Sequence, residues 1–259
     1  MTYCVAVNLH EGLVFLSDSR TNAGMDQIST FRKMTVFERP GDRLIVLLSA
    51  GNLAITQSVR EVLSQGHEGQ TLWSARTMAE AAEVLGRAVR TVFDRDQKAL
   101  AEFNIEFNCT FILGGQIAGE HCRLFQVYSA GNFIEAGQET PYFQIGESKY
   151  GKPILDRVLT PHTPLDEATK CALISMDSTV RSNLSVGLPL DLLVYRAGEL
   201  MVGRFVTIQD DDLYFRNIRQ RWGSLLKEAF HSLPELNWES MQIERSKPIL
   251  ERLIRSTDQ

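Results

Sequence analysis

From Tyr3 to Ser49 the sequence is built of apolar runs too short to be anything but strands, and this fixes a sheet at the start of the fold. Tyr3 to Asn8 and Leu13 to Ser17 flank His10-Glu11-Gly12, the composition of a tight hairpin turn. Lys33 to Arg39 and Leu44 to Ser49 flank Pro40-Gly41-Asp42, where proline pre-sets φ and glycine tolerates a positive one. Four strands are therefore expected before any helix. Ser19 to Thr30, polar and glycine-containing, reads as a loop or irregular strand.

After Gly51 the period changes. Leu53, Ile55, Val59, Val62 and Leu63 fall on one helical face, stopped by Gly66 to Gly69. Met78, Ala82, Leu85, Val89, Val92 and Phe93 predict a long amphipathic helix over about 77–104. Strand patterns return over Cys109 to Gln116, His121 to Ser129, Asn132 to Ala136 and Tyr142 to Ile145. Helices are expected at Lys149 to Leu159 and Leu165 to Leu184, then strands at Leu190 to Tyr195 and Met201 to Ile208. Strands, two helices, strands, two helices and strands again suit an α+β fold of two antiparallel sheets face to face with helices outside.

Asp210-Asp211-Asp212 breaks this pattern and sets an expected boundary between a domain over 1–209 and a helical extension over 210–259. Ile218, Trp222, Leu225, Leu226, Ala229 and Phe230 form one helical stripe of the extension, and Ile249, Leu250, Leu253 and Ile254 a second.

A net charge of −5 gives no electrostatic case for nucleic acid or an anionic membrane. Cys4, Cys109, Cys122 and Cys171 stand singly in apolar segments and read as buried reduced thiols. The five histidines are isolated, without HExxH or an i, i+4 pair, so no metal is expected; no GxGxxG or Walker loop occurs, so no cofactor is either. With no apolar run long enough to span a bilayer and no secretory leader pattern, a cytoplasmic protein is expected.

Chemistry concentrates at the start of the first strand. If Met1 is removed, Thr2 carries a hydroxyl and a free α-amine on one residue. An α-amine titrates near about 7.7 to 8.0, so at neutral pH part of it is unprotonated and can take the hydroxyl proton without a histidine. A nearby lysine would lower the amine's pKa, and an aspartate would hold that lysine and balance its charge. Asp18 and Lys33 are the candidates. Gly51 opens the first helical pattern, and a helix N-terminus there points backbone N–H groups and a partial positive charge toward the preceding turn, a candidate oxyanion hole.

The separations of Thr2, Asp18 and Lys33, with Leu48-Ser49-Ala50-Gly51-Asn52, resemble the proteasome β-subunit type of N-terminal nucleophile hydrolase. Phe15 to Gly24, Ser29 to Lys33, Gly146 to Pro153 and Arg181 to Gly187 make the chain look most like Anbu, the bacterial "ancestral β-subunit" branch. The resemblance implies a four-layer αββα sandwich with an added C-terminal helical tail. It also implies a homo-oligomer, ring or spiral, that acts on peptide or protein substrates. It assigns catalytic roles to Thr2, Asp18, Lys33, Gly51 and Ser185, needs no cofactor, and leaves any unfoldase partner open.

The sequence departs from the proteasome pattern twice. Gly146-Glu147-Ser148 puts Glu147 where that family has a serine beside the threonine, and Ser182 replaces the aspartate three residues before Ser185, with Asp177 the nearest substitute. Activation is expected from methionine aminopeptidase, since Met1 precedes Thr2. Two functions are thus carried forward: a threonine-type peptidase or amidohydrolase, and a proteasome-like structural protomer with a weak or unused site. A cysteine nucleophile fits poorly, because Cys4 is not next to the initiator.

Overall fold

The computed structural model describes residues 2–22, 28–66 and 69–237. Among them the chain runs through strands β1 (Tyr3–Leu9), β2 (Gly12–Asp18), β3 (Arg20–Asn22), β4 (Ile28–Thr30), β5 (Met34–Arg39) and β6 (Arg43–Gly51) before its first helix. Helices α1 (Leu53–Gln65) and α2 (Met78–Glu102) follow, then β7 (Cys109–Ile117), β8 (Arg123–Val127), β9 (Phe133–Glu135) and β10 (Tyr142–Gly146). Next come α3 (Lys152–Val158), α4 (Leu165–Ser182), β11 (Leu190–Arg196), β12 (Arg204–Ile208) and α5 (Leu213–Ser232).

Both expected hairpins form, turning at His10-Glu11 and at Pro40 to Asp42. The expectation of four strands before the first helix is corrected to six. Arg20–Asn22 and Ile28–Thr30 pair with each other as a small separate ladder that polar composition concealed. The stripe from Ile218 to Phe230 lies on α5; the second stripe, Ile249 to Ile254, falls outside the described residues.

Two five-stranded antiparallel sheets result, in the orders β10-β1-β2-β11-β12 and β5-β6-β7-β8-β9. Three apolar cores account for the burial of β1, β2, β6 and β7 on both faces. Cys4, Ala6, Leu13 and Phe15 of the first sheet meet Leu44, Val46, Leu48 and Ile112 of the second. On its other face the first sheet turns Tyr3, Val5, Val7, Val14 and Leu16 toward Leu155 of α3 and Ala168, Ala172 and Met176 of α4. The second sheet turns Ile45, Leu47, Phe111 and Leu113 toward Ile55 and Val59 of α1 and Leu85 and Val89 of α2. Burial on both faces is why these strands read as unbroken apolar runs rather than alternating ones. Each such large side chain contributes about 1.5–3 kcal/mol relative to exposure.

Helix boundaries follow from capping. The Asn52 side chain accepts from the Ala54 and Ile55 amides and starts α1; Thr77 accepts from the Glu80 amide and starts α2. No described helix is long and apolar enough to cross a membrane.

The chain divides into two compact units, 1–219 and 220–259. The first two turns of α5 belong to the former: Phe215 is buried, and the Arg219 guanidinium pairs with Asp177 across 2.7 Å. In the second unit Leu225, Leu226 and Phe230 are exposed.

Candidate active site

Thr2 immediately precedes β1, and its position is set by its neighbours. Its carbonyl accepts a hydrogen bond of 2.7 Å from the Glu147 amide at the end of β10. Gly146 lies against it with φ +84°, and a Cβ there would fall 2.0 Å from the Thr2 carbonyl oxygen. Only glycine fits so close an approach at positive φ.

The next amide, Tyr3 N–H, donates to Asp18 Oδ1 at 2.9 Å, because the β1–β2 register brings the end of β2 beside the start of β1. Lys33 Nζ donates to the same oxygen at 2.7 Å and to the Arg20 carbonyl at 2.7 Å. The Lys33 backbone is held in turn by the Ser49 amide, 3.0 Å from its carbonyl, so β6 positions the lysine. Lys33 and Asp18 are 8 % and 0 % exposed at the side chain, which makes this a sealed ion pair. Burial pushes the Asp18 carboxyl above its ordinary range; the Lys33 charge and the hydrogen bonds from Lys33, Tyr3 and Gly187 pull against that without cancelling it.

Gly51 ends β6 with φ +112°, and a Cβ there would come within 2.4 Å of the Asn108 carbonyl. Thr2, Lys33, Ser49 and Gly51 all line one cavity of about 500 Å³. Of the residues singled out in sequence, Thr2, Lys33 and Gly51 therefore share one wall, and Asp18 reaches it through Lys33. Ser185 is half-buried and is not among the residues lining this cavity; its amide donates to Asn183 Oδ1 at 2.9 Å.

The two departures are now explicable. Glu147 is buried and accepts from Asn183 Nδ2 at 3.1 Å, so Asn183 links Glu147, whose amide holds Thr2, to Ser185. Asp177 does not take the missing aspartate's place, because Arg181 and Arg219 occupy its two oxygens at 3.0 and 2.7 Å. Asn183 went unrecognised in the sequence; its one signal is an amide side chain directly after a long helix.

All four cysteines are free and buried. Burial pushes the Cys122 and Cys171 thiols up to about 12 and Cys109 to about 11, and it raises Cys4 as well, so none is poised as a nucleophile. Among the described residues, no group of three His, Cys, Asp or Glu side chains is arranged to hold a metal ion.

No family model and no curated protein matches the sequence. Solved structures do. Anbu (ancestral beta-subunit) from Yersinia bercovieri is 54 % identical with a TM-score of 0.85, over 91 % of this chain and 99 % of that one. The helical assembly of the Anbu complex from Pseudomonas aeruginosa is 49 % identical with a TM-score of 0.87, over 92 % and 99 %. Anbu from Hyphomicrobium sp. strain MC1 is 48 % identical with a TM-score of 0.84, over 91 % and 99 %.

Proposed function

This chain belongs to the Anbu family of proteasome β-subunit-like proteins, and from that premise we propose that it is a threonine-type N-terminal nucleophile hydrolase of peptide or amide bonds. The observation that carries the reading is that Thr2, Gly51 and Lys33, the last paired with the buried Asp18, line one cavity.

In this account removal of Met1 frees the Thr2 amine. That amine takes the hydroxyl proton as Oγ bonds to the substrate carbonyl carbon. Negative charge gathers on the carbonyl oxygen, where the Gly51 N–H donates to it. Collapse breaks the C–N bond, the leaving amine takes the proton back from the ammonium, and water then hydrolyses the Thr2 ester. Lys33, fixed by Asp18, keeps positive charge beside the amine and favours its unprotonated form. Asn183 ties the Ser185 backbone to Glu147, whose amide holds Thr2, and this supports a positioning part for that segment. The three cores support a four-layer αββα sandwich; one of them includes Phe215, so the helical extension begins after Arg219 rather than at 210. The assembly of the Pseudomonas relative supports a homo-oligomer here. Free buried thiols suit a cytoplasmic location.

The decisive experiment compares native protein with Thr2→Ala on a peptide library. Turnover by the former alone supports the hydrolase. No turnover above the Thr2→Ala background by either supports a structural protomer, the reading that the Glu147 departure favours.

A further inference from the structure

The cavity beside Thr2 has an uneven charge. Its lining includes Arg32, Lys33 and Arg60, and among the described residues no aspartate or glutamate lines it. Lys33 is already neutralised by Asp18 at 2.7 Å. Among the described residues the two arginines have no such partner. Among the described residues Arg60 Nη1 meets neutral acceptors at the outer edge of hydrogen-bonding distance, the Arg32 carbonyl at 3.3 Å and Thr35 Oγ1 at 3.4 Å. Arg32 is exposed, its guanidinium carbon 5.9 Å from the centre of the Phe205 ring. Among the described residues neither is paired with a carboxylate.

Arg60 is presented to the cavity by helical spacing. Leu53, Thr56 and Arg60 lie at i, i+3 and i+7 on α1 and all three line the wall. The first turn of α1 carries no acidic residue, so the positive end of the helix dipole adds to the same field. A guanidinium has five donors in a planar fork that matches a carboxylate, and half-burial at Arg60 weakens solvent screening.

We propose that this cavity is selective for an acidic side chain, so that the protein binds and cleaves peptides with glutamate or aspartate on the acyl side of the scissile bond, with Arg60 and Arg32 as the specificity-determining residues. The cleavage half of this statement rests on the hydrolase reading above; the charge preference of the cavity does not. Arg60 bears on specificity and is not a catalytic residue.

The test measures binding first, on full-length Thr2→Ala protein, by fluorescence anisotropy of labelled peptide amides that differ only in ending in Glu, Gln, Leu or Lys. The Glu peptide should bind at least about tenfold tighter than its Gln isostere. The preference should vanish in Thr2→Ala with Arg60→Gln and shift toward Lys with Arg60→Glu. It should also shrink as salt is raised. Equal binding of Glu and Gln, or an Arg60→Gln protein that keeps the full preference, overturns the proposal. Should Arg60→Glu not fold, the Arg60→Gln comparison decides alone. Hydrolysis by native protein separates the two levels. Cleavage after Leu or Gln but not Glu overturns the specificity and leaves the hydrolase standing. If nothing is cleaved, the hydrolase reading fails while the binding series still decides the charge preference.

Discussion

Lys33 Nζ lies 2.7 Å from Asp18 Oδ1, and that same oxygen also accepts from the Tyr3 amide, one bond removed from Thr2. The ion pair is thereby wired to the backbone of the residue proposed as nucleophile. If the pair acts as one unit, Lys33→Ala and Asp18→Asn should each lower turnover by about 10²–10⁴. The double variant should be little worse than either single one. Losses that multiply in steady-state kinetics would show that the two residues act separately.

Stability should split the pair differently. Removing the lysine strands a buried carboxylate, so Lys33→Met should cost about 3–5 kcal/mol. Asp18→Asn leaves the Lys33 ammonium buried with the Arg20 carbonyl still accepting from it, while removing a carboxylate that burial disfavours, so it should cost less than Lys33→Met. Urea denaturation of the two variants checks this, and a larger loss in Asp18→Asn than in Lys33→Met would contradict it.

A pH series follows from the raised Asp18 pKa. Between the ordinary carboxylate value and the raised native one, the folded state holds a proton that the unfolded state has released. Asp18's favourable contribution is therefore complete below that window and is lost as pH rises through it. Native protein should lose stability relative to Asp18→Asn over that interval, with a constant difference above it. A difference that grows in the native protein's favour with rising pH would mean that Lys33 outweighs burial.

Gly51→Ala places a Cβ 2.4 Å from the Asn108 carbonyl oxygen at φ +112°, and Gly146→Ala places one 2.0 Å from the Thr2 carbonyl oxygen at φ +84°. Each should destabilise by about 1–3 kcal/mol from the positive φ alone. Each should also cut turnover, by moving the oxyanion donor and the nucleophile respectively. Thermal melts and kinetics on the same samples check both, and an unaffected Gly51→Ala enzyme would remove the oxyanion role.

The second unit carries Leu225, Leu226 and Phe230 exposed on α5, an apolar stripe of the kind that association covers. Ending the chain at Arg219 keeps Phe215 buried and the Arg219–Asp177 pair intact, which a cut after Asp211 would not. That truncation should lower the assembled mass in light scattering while circular dichroism stays native. An unchanged mass would assign self-association elsewhere.

Much of this architecture was legible because turns and periods are local. Pro40-Gly41-Asp42 and the caps Asn52 and Thr77 mark their elements within a few residues. The ladder of β3 with β4 was hidden, since Arg20-Thr21-Asn22 pairs without an apolar face to betray it. At the candidate site, the proposal of Thr2, Asp18 and Lys33 came from spacing and resemblance, and the geometry adds the 2.7 Å contact between Lys33 and Asp18. Asn183 and the capture of Asp177 by Arg219 were not legible, because each depends on contacts between residues far apart in the chain. Arg60 looked like any charged residue on an amphipathic helix until the cavity gave it a direction.

The central claim is that the free Thr2 amine is the base. Intact mass and peptide hydrolysis measured on the same preparations, one lacking Met1 and one retaining it, test this directly. The account predicts turnover confined to the Met1-free protein and absent in Thr2→Ala. Hydrolysis at full rate by protein that mass shows to retain Met1 would contradict it.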